Sequence, residues 1–233
     1  MMLKRRLGRA AVNGLVLTSV ITMGLLVMSV GTAGASLSLI IPDTSGAGYF
    51  TSGLAPTSAS ATFVVPAFTC TGVQQDLITV EVNWPNLIAA LDEVSIVCSG
   101  AGAVPTYGTF VEGPGGPGPI VTTLAVSPGD KLKASVSGST SSLVDVTTKA
   151  AVTVNGGPEP SGGDNAAFTL SRTTLDPTTP TFGTLTFKAM TVDGSRLSAA
   201  ASFTQDMTSA SSIVQVLANP IAHGTGTLVF QHI

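Results

Sequence analysis

The chain has 233 residues, 44% of them hydrophobic, 10% charged and 5% aromatic, with 26 Gly and 14 Pro. Charge this sparse, with Gly, Ser, Thr and Ala in its place, argues against a helical bundle and for one all-β domain. Four of the ten basic residues lie before residue 36, so a chain cut there keeps six Lys and Arg against thirteen Asp and Glu; that net of −7 argues against nucleic acid and anionic membrane as partners.

The N-terminus has the build of a signal peptide over residues 1–35. Lys4, Arg5, Arg6 and Arg9 form the positive region, residues 10–30 are largely apolar, and Ala33-Gly34-Ala35 is a small-residue cleavage site. The expectation is a secreted, extracellular protein with cleavage after Ala35 and no stable membrane association. The alternative is an uncleaved N-terminal membrane anchor, because the apolar run approaches spanning length.

Residues 36–60 are rich in Ser, Gly, Thr and Pro and read as an extended lead-in with one edge strand; residues 61–233 are the sandwich domain. Strands are expected at 61–65, 77–84, 94–98, 107–111, 120–126, 131–137, 143–148 and 151–154. Later ones fall at 166–170, 181–189, 197–203, 213–218 and 226–230. A helical turn is expected at 87–92. Ser127-Pro128-Gly129-Asp130 is a type II turn by its Pro and Gly positions, and Val192-Asp193-Gly194-Ser195 is a hairpin turn. The Gly-Pro run at 113–119 must be loop. Roughly a dozen short strands at even spacing, with no helix of ordinary length, indicate an antiparallel β-sandwich.

Cys70 and Cys98 are the only cysteines, and both lie in the exported part. An even pair there is expected to form a disulfide, with two separate buried thiols as the alternative. Two His cannot complete a zinc site of the usual kinds, so no metal and no cofactor are expected. His223 and His232 lie near the C-terminus, and no G-x-S-x-G elbow is present, which argues against a serine hydrolase. The remaining chemistry is carboxylate: Glu81, Asp92, Glu93, Glu112, Asp145, Glu159 and Asp164. None is paired by sequence spacing. Asp92 and Glu93 are expected in a turn. Glu112 stands out because it joins a strand to a loop whose glycines let a ligand approach.

Several segments, in order, resemble the glutamic peptidase (eqolisin) family. Tyr49-Phe50 with Gly53 is similar to its opening. Ala61-Thr62-Phe63-Val64-Val65-Pro66 followed by Cys70 is similar to its S-G-T-W-T-V-P strand, and Val82-Asn83-Trp84 to its S-T-W strand. Tyr107 to Glu112 resembles Y-x-A-W-Y-E, Ser127 to Val136 resembles S-A-G-D-x-I-K-V-S-V, and Phe182 to Phe187 resembles F-G-x-V-T-F. The match spans most of residues 48–230. It implies two large curved antiparallel sheets, like the concanavalin-type lectin jelly roll, with a cleft on the concave side. It also implies a catalytic Glu that activates water and a Gln that stabilises the tetrahedral intermediate.

By this resemblance Cys98 stands at the place of the Gln and Ala167 at the place of the Glu, so the catalytic positions are expected to be empty of their chemistry. Trp84, Tyr107 and Glu112 are expected to line the cleft. The expectation is a catalytically inactive, secreted relative with a cleft for an extracellular ligand, a polypeptide among the candidates. An active, acid-acting glutamic endopeptidase and a lectin-like or surface-adhesion module are the two alternatives.

Overall fold

The computed structural model describes residues 40–43, 45–51, 54–84, 90–113, 120–157, 162–172, 179–209 and 213–231. The leader and its cleavage site, most of the Gly-Pro loop, residues 87–89, Glu159 and His232 lie outside them.

Strands β1 (Ile40–Asp43), β2 (Gly46–Thr51), β3 (Ser58–Val64) and β4 (Val73–Asn83) come first. They are followed by β5 (Ala90–Ser99), β6 (Thr106–Glu112), β7 (Ile120–Val121) and β8 (Lys131–Ser137). Next come β9 (Thr140–Asp145), β10 (Ala151–Asn155), β11 (Asn165–Arg172) and β12 (Thr184–Val192). β13 (Ser195–Arg196), β14 (Ser202–Thr208), β15 (Val214–Ala218) and β16 (Gly226–Phe230) complete the set. The one helical element among the described residues is the 3-10 turn Ala199–Ala201.

These strands join antiparallel in the order β10-β9-β8-β3-β12-β16-β15-β14-β2-β11-β4-β5-β6-β7, with β1 parallel on β14 and β13 on β12. The sheet curves until it is nearly closed, as the expected all-β sandwich requires. β3 and β8 then face β4, β5 and β11 across a shared core. Gly113 marks how tightly the open end approaches the other layer: a Cβ there would sit 2.6 Å from the Gly156 nitrogen.

Alternation builds the core. On β4, Ile78, Val80 and Val82 are fully buried; on β3, Ala59, Ala61 and Phe63 are buried; on β8, Leu132, Ala134 and Val136 are buried. Phe187 of β12 lies edge-on to Phe63, at 5.6 Å between ring centres, and to Phe168 of β11, at 6.3 Å. Aromatic edge contacts of this kind add to the area they bury.

Both expected turns form. Asp130 N donates to Ser127 O at 3.1 Å with Gly129 at φ +95, the type II geometry. Asp193 and Gly194 both have positive φ, 50 and 74, as a two-residue hairpin turn needs. The Asp193 carboxylate accepts from Thr57 N at 2.8 Å and Ser58 N at 2.9 Å, fixing the turn to β3.

Four local expectations are corrected. Asp92 and Glu93 lie within β5 rather than in a turn, because Asp92, Val94, Ile96 and Cys98 all alternate inward. The strand expected over 120–126 stops at Val121: Leu124 N donates to the Thr122 hydroxyl at 3.1 Å, so a side chain replaces the ladder partner. The strand expected over 143–148 ends at Asp145, whose carboxylate accepts from Thr147 N at 2.8 Å and Thr148 N at 3.2 Å and turns the chain. Finally, the segment read as a lead-in with an edge strand supplies β2, an interior strand between β14 and β11.

Candidate functional site

β4 sends its even-numbered residues into the core, so its odd ones face outward: Leu77, Thr79, Glu81. Register carries that face across the neighbouring strands. Glu81 stands opposite Leu91 of β5 and opposite Ala167 of β11, and Ala167 stands opposite Phe50 of β2. Leu91 in turn stands opposite Glu112 of β6. One row further along, Glu93 stands opposite Thr79 and opposite Phe110.

Two residues along β5 from Leu91, Glu93 is therefore the diagonal neighbour of both Glu81 and Glu112. Diagonal pairs across adjacent strands lie within reach of long side chains. Three carboxyl groups that are 31 residues apart at their extremes, Glu81 to Glu112, meet on one face.

This face forms a groove of about 410 Å³. Glu81, Glu93 and Asp43 supply its acids, Phe50, Leu77 and Leu91 its apolar surface, and Gln205 of β14 an amide on the far wall; no lining residue is cationic. Phe50 stacks on Phe203 at 5.2 Å. Gln205 Nε2 donates to Gly46 O at 3.3 Å. Glu112 is buried beside the groove rather than in its lining.

The electrostatics follow from burial in a groove whose lining carries no cation. Burial first, then the neighbouring Glu81 and Glu112, push the Glu93 carboxyl up to about 7. Burial also raises Glu81, and a hydrogen bond from Asn83 Nδ2 to its Oε1 at 3.0 Å opposes the rise. Near neutrality Glu93 is thus able to give or take a proton beside further carboxyl groups. That is the pattern of an acid–base pair or of a site for a positively charged group.

The structure separates the residues expected in the cleft. Glu112 shares the face of the groove. Trp84 and Tyr107 do not: Trp84 continues the inward series of β4 and is 4% exposed, and Tyr107 stands opposite the fully buried Ile96. The Tyr107 hydroxyl accepts from Phe68 N at 3.3 Å and donates to Pro66 O at 3.4 Å, holding the segment after β3. Cys98 also faces inward and is bonded to Cys70, with 5.4 Å between Cα atoms. A side chain at Cys98 cannot reach the groove, because on a strand one position decides the face. Ala167 does belong to the groove row, fully buried between Glu81 and Phe50.

Of the groove residues, Gln205 escapes a reading of the sequence, and Glu93, counted among the carboxylates but expected in a turn, is not assigned to a face, because its neighbour Asp92 puts an acid on both faces of β5. Gln205 sits in a strand whose polar and apolar residues do not alternate cleanly.

The fold is that of known peptidases. Crystal structures of scytalido-glutamic peptidase superpose with TM-scores of 0.63, with a peptide based transition state analog, and 0.61, with a transition state analog inhibitor. Both are 17% identical to this chain, and each match covers 81% of this chain and 99% of the peptidase. SCP-B, a member of the eqolisin family in complex with the tripeptide Ala-Ile-His, superposes with a TM-score of 0.62 at 18% identity and the same coverage. No protein-family model and no curated protein matches the chain.

Proposed function

We propose that this is a secreted, glutamic-peptidase-like protein that holds an extended polypeptide in the acidic groove and does not cleave it. The observation that carries this is the groove position held by Ala167. The resemblance assigns that position the base, and a methyl group transfers no proton. The likeness in fold to peptidases solved with peptide ligands supports a groove of the right form, and the disulfide fits an oxidising compartment. The test is titration of the purified, disulfide-bonded protein with denatured casein fragments, followed by analysis for new termini between about pH 3 and about pH 7, a range that spans ordinary and raised carboxyl values. Binding without cleavage supports the reading; cleavage overturns it.

A second reading has its own observation. Glu81 lies directly across from Ala167, and Glu93 is poised near neutrality with the Gln205 amide on the opposite wall. A carboxyl–carboxylate pair with an amide donor has the chemistry to activate water against a peptide carbonyl. Cleavage that disappears in both Glu81→Gln and Glu93→Gln would establish it.

A further inference from the structure

The opposite outer face carries a feature that the groove does not explain. β12, β3 and β8 are adjacent, and their outward residues align in rows. Lys188 stands opposite Thr62, and Thr62 stands opposite Lys133; Lys131 stands opposite Val64 one row away. Three of the six Lys and Arg that remain after residue 35 thus gather on three neighbouring strands. All three are exposed. Lys131 and Lys188 line a recess of about 390 Å³ with the hydroxyls of Thr62, Thr184 and Thr186 and the apolar Phe63, Val64 and Pro66, and Lys133 stands next to it, opposite Thr62. In a chain with so few cations, like charges this close repel one another unless a partner supplies the opposite sign.

We propose that this lysine face binds a linear acidic polysaccharide. Three observations select that partner. At the lysine rows the backbone is engaged: β3 is paired by β8 over Ser58–Val64 and by β12 at Ala59, Ser60 and Thr62, while β12 pairs with β3 from Lys188 to Val192 and with β16 from Thr184 to Phe187. An acidic peptide lying along these rows would therefore bind through side chains. The exposed large apolar residues here are aliphatic, Val64 and, beside Lys131, Val146, and none of the exposed large hydrophobic residues of the described chain is aromatic, which disfavours a bilayer. What remains is spaced positive charge among hydroxyls. Lys133 and Lys188 lie two strand spacings apart, about 10 Å. This arrangement suits a hydroxyl-rich polymer with charges at intervals.

The test uses the disulfide-bonded protein with polygalacturonate and dextran sulfate as probes. Neutral dextran, phosphatidylserine vesicles and polyglutamate serve as comparators. The expected result is binding to at least one acidic polysaccharide, weakening as salt rises. The triple variant Lys131→Gln, Lys133→Gln, Lys188→Gln should lose about tenfold or more in affinity, while Lys149→Gln, outside these rows, should bind as the parent does. Because the three lysines are exposed, a thermal melt confirms that the triple variant is folded. The proposal is overturned if neither acidic polysaccharide binds, if neutral dextran binds equally, or if the folded triple variant binds undiminished. Tighter binding to vesicles or to polyglutamate also overturns it.

Discussion

On the β4–β5–β6 side, three glutamates from adjacent strands meet in and beside a groove; on the β12–β3–β8 side, three lysines from adjacent strands meet on an open face. Both clusters are made by alternation along the strand and register between strands. They differ in solvent. The glutamates are buried or half-buried, and the charge of Glu93 depends on pH and on its neighbours, whereas the lysines are exposed. The same sheet grammar gives one face whose charge is conditional and another whose charge is open to any partner that approaches.

The largest effect should come from the residue that joins the cores of the two layers. Phe187→Ala removes a ring in edge contact with both Phe63 and Phe168 and should cost about 3–5 kcal/mol, read by urea unfolding. If the faces depend on a shared core, ligand binding on both should weaken together. The next effect divides them. The Cys70–Cys98 disulfide spans 28 residues and ties the start of β4 to the end of β5, so replacing both cysteines by Ala should cost about 3–4 kcal/mol. Its loss should raise amide exchange in β4 and β5 more than in β3 and β8; an equal rise in both would break the comparison.

The third effect is in pH. Glu93 has its ordinary 4.5 raised to about 7 in the folded state, so between these values the folded chain binds more protons than the unfolded one. Stability should therefore fall as pH rises from about 4.5 to about 7. Asp92, raised to about 7 by burial, acts in the same direction. Glu93→Gln should flatten the dependence of Tm on pH, and Asp92→Asn should flatten it independently. An unchanged slope in Glu93→Gln would remove the groove from the account. The smallest effect belongs to the lysine face: Lys133→Gln should change stability by less than about 0.5 kcal/mol at any pH.

Most of the fold is legible in the sequence because the strands announce themselves. The β-branched run in β4 and the Pro-Gly and Asp-Gly turns are local signals, and the structure bears them out. The groove is not legible to the same degree. Glu81, Glu93 and Glu112 are brought together by register, and register is written in no single segment. Asp92 and Glu93 illustrate the difficulty: adjacent in sequence, they point to opposite faces, one toward Ser135 N at 2.6 Å and the other into the groove. Trp84 and Tyr107 differ from expectation for the same reason. Their motif neighbours suggest a cleft, but strand parity turns both inward. The lysine row is equally hidden, because Lys131 and Lys133 look like the solvent face of any half-buried strand until Lys188 of β12 comes alongside.

The interior position of β2 has a consequence for the order of events in folding. Phe50 pairs with Ala167 on one side and Phe203 on the other, so one of the earliest strands of the sheet waits for two of the later ones. Long-range pairing of this kind is slow to nucleate, because loop closure must precede the contacts that reward it. Until β14 has been made, β2 has no partner on that side, and the sheet cannot be completed during synthesis. A chain organised in this way reaches its native state only after nearly all of it is available.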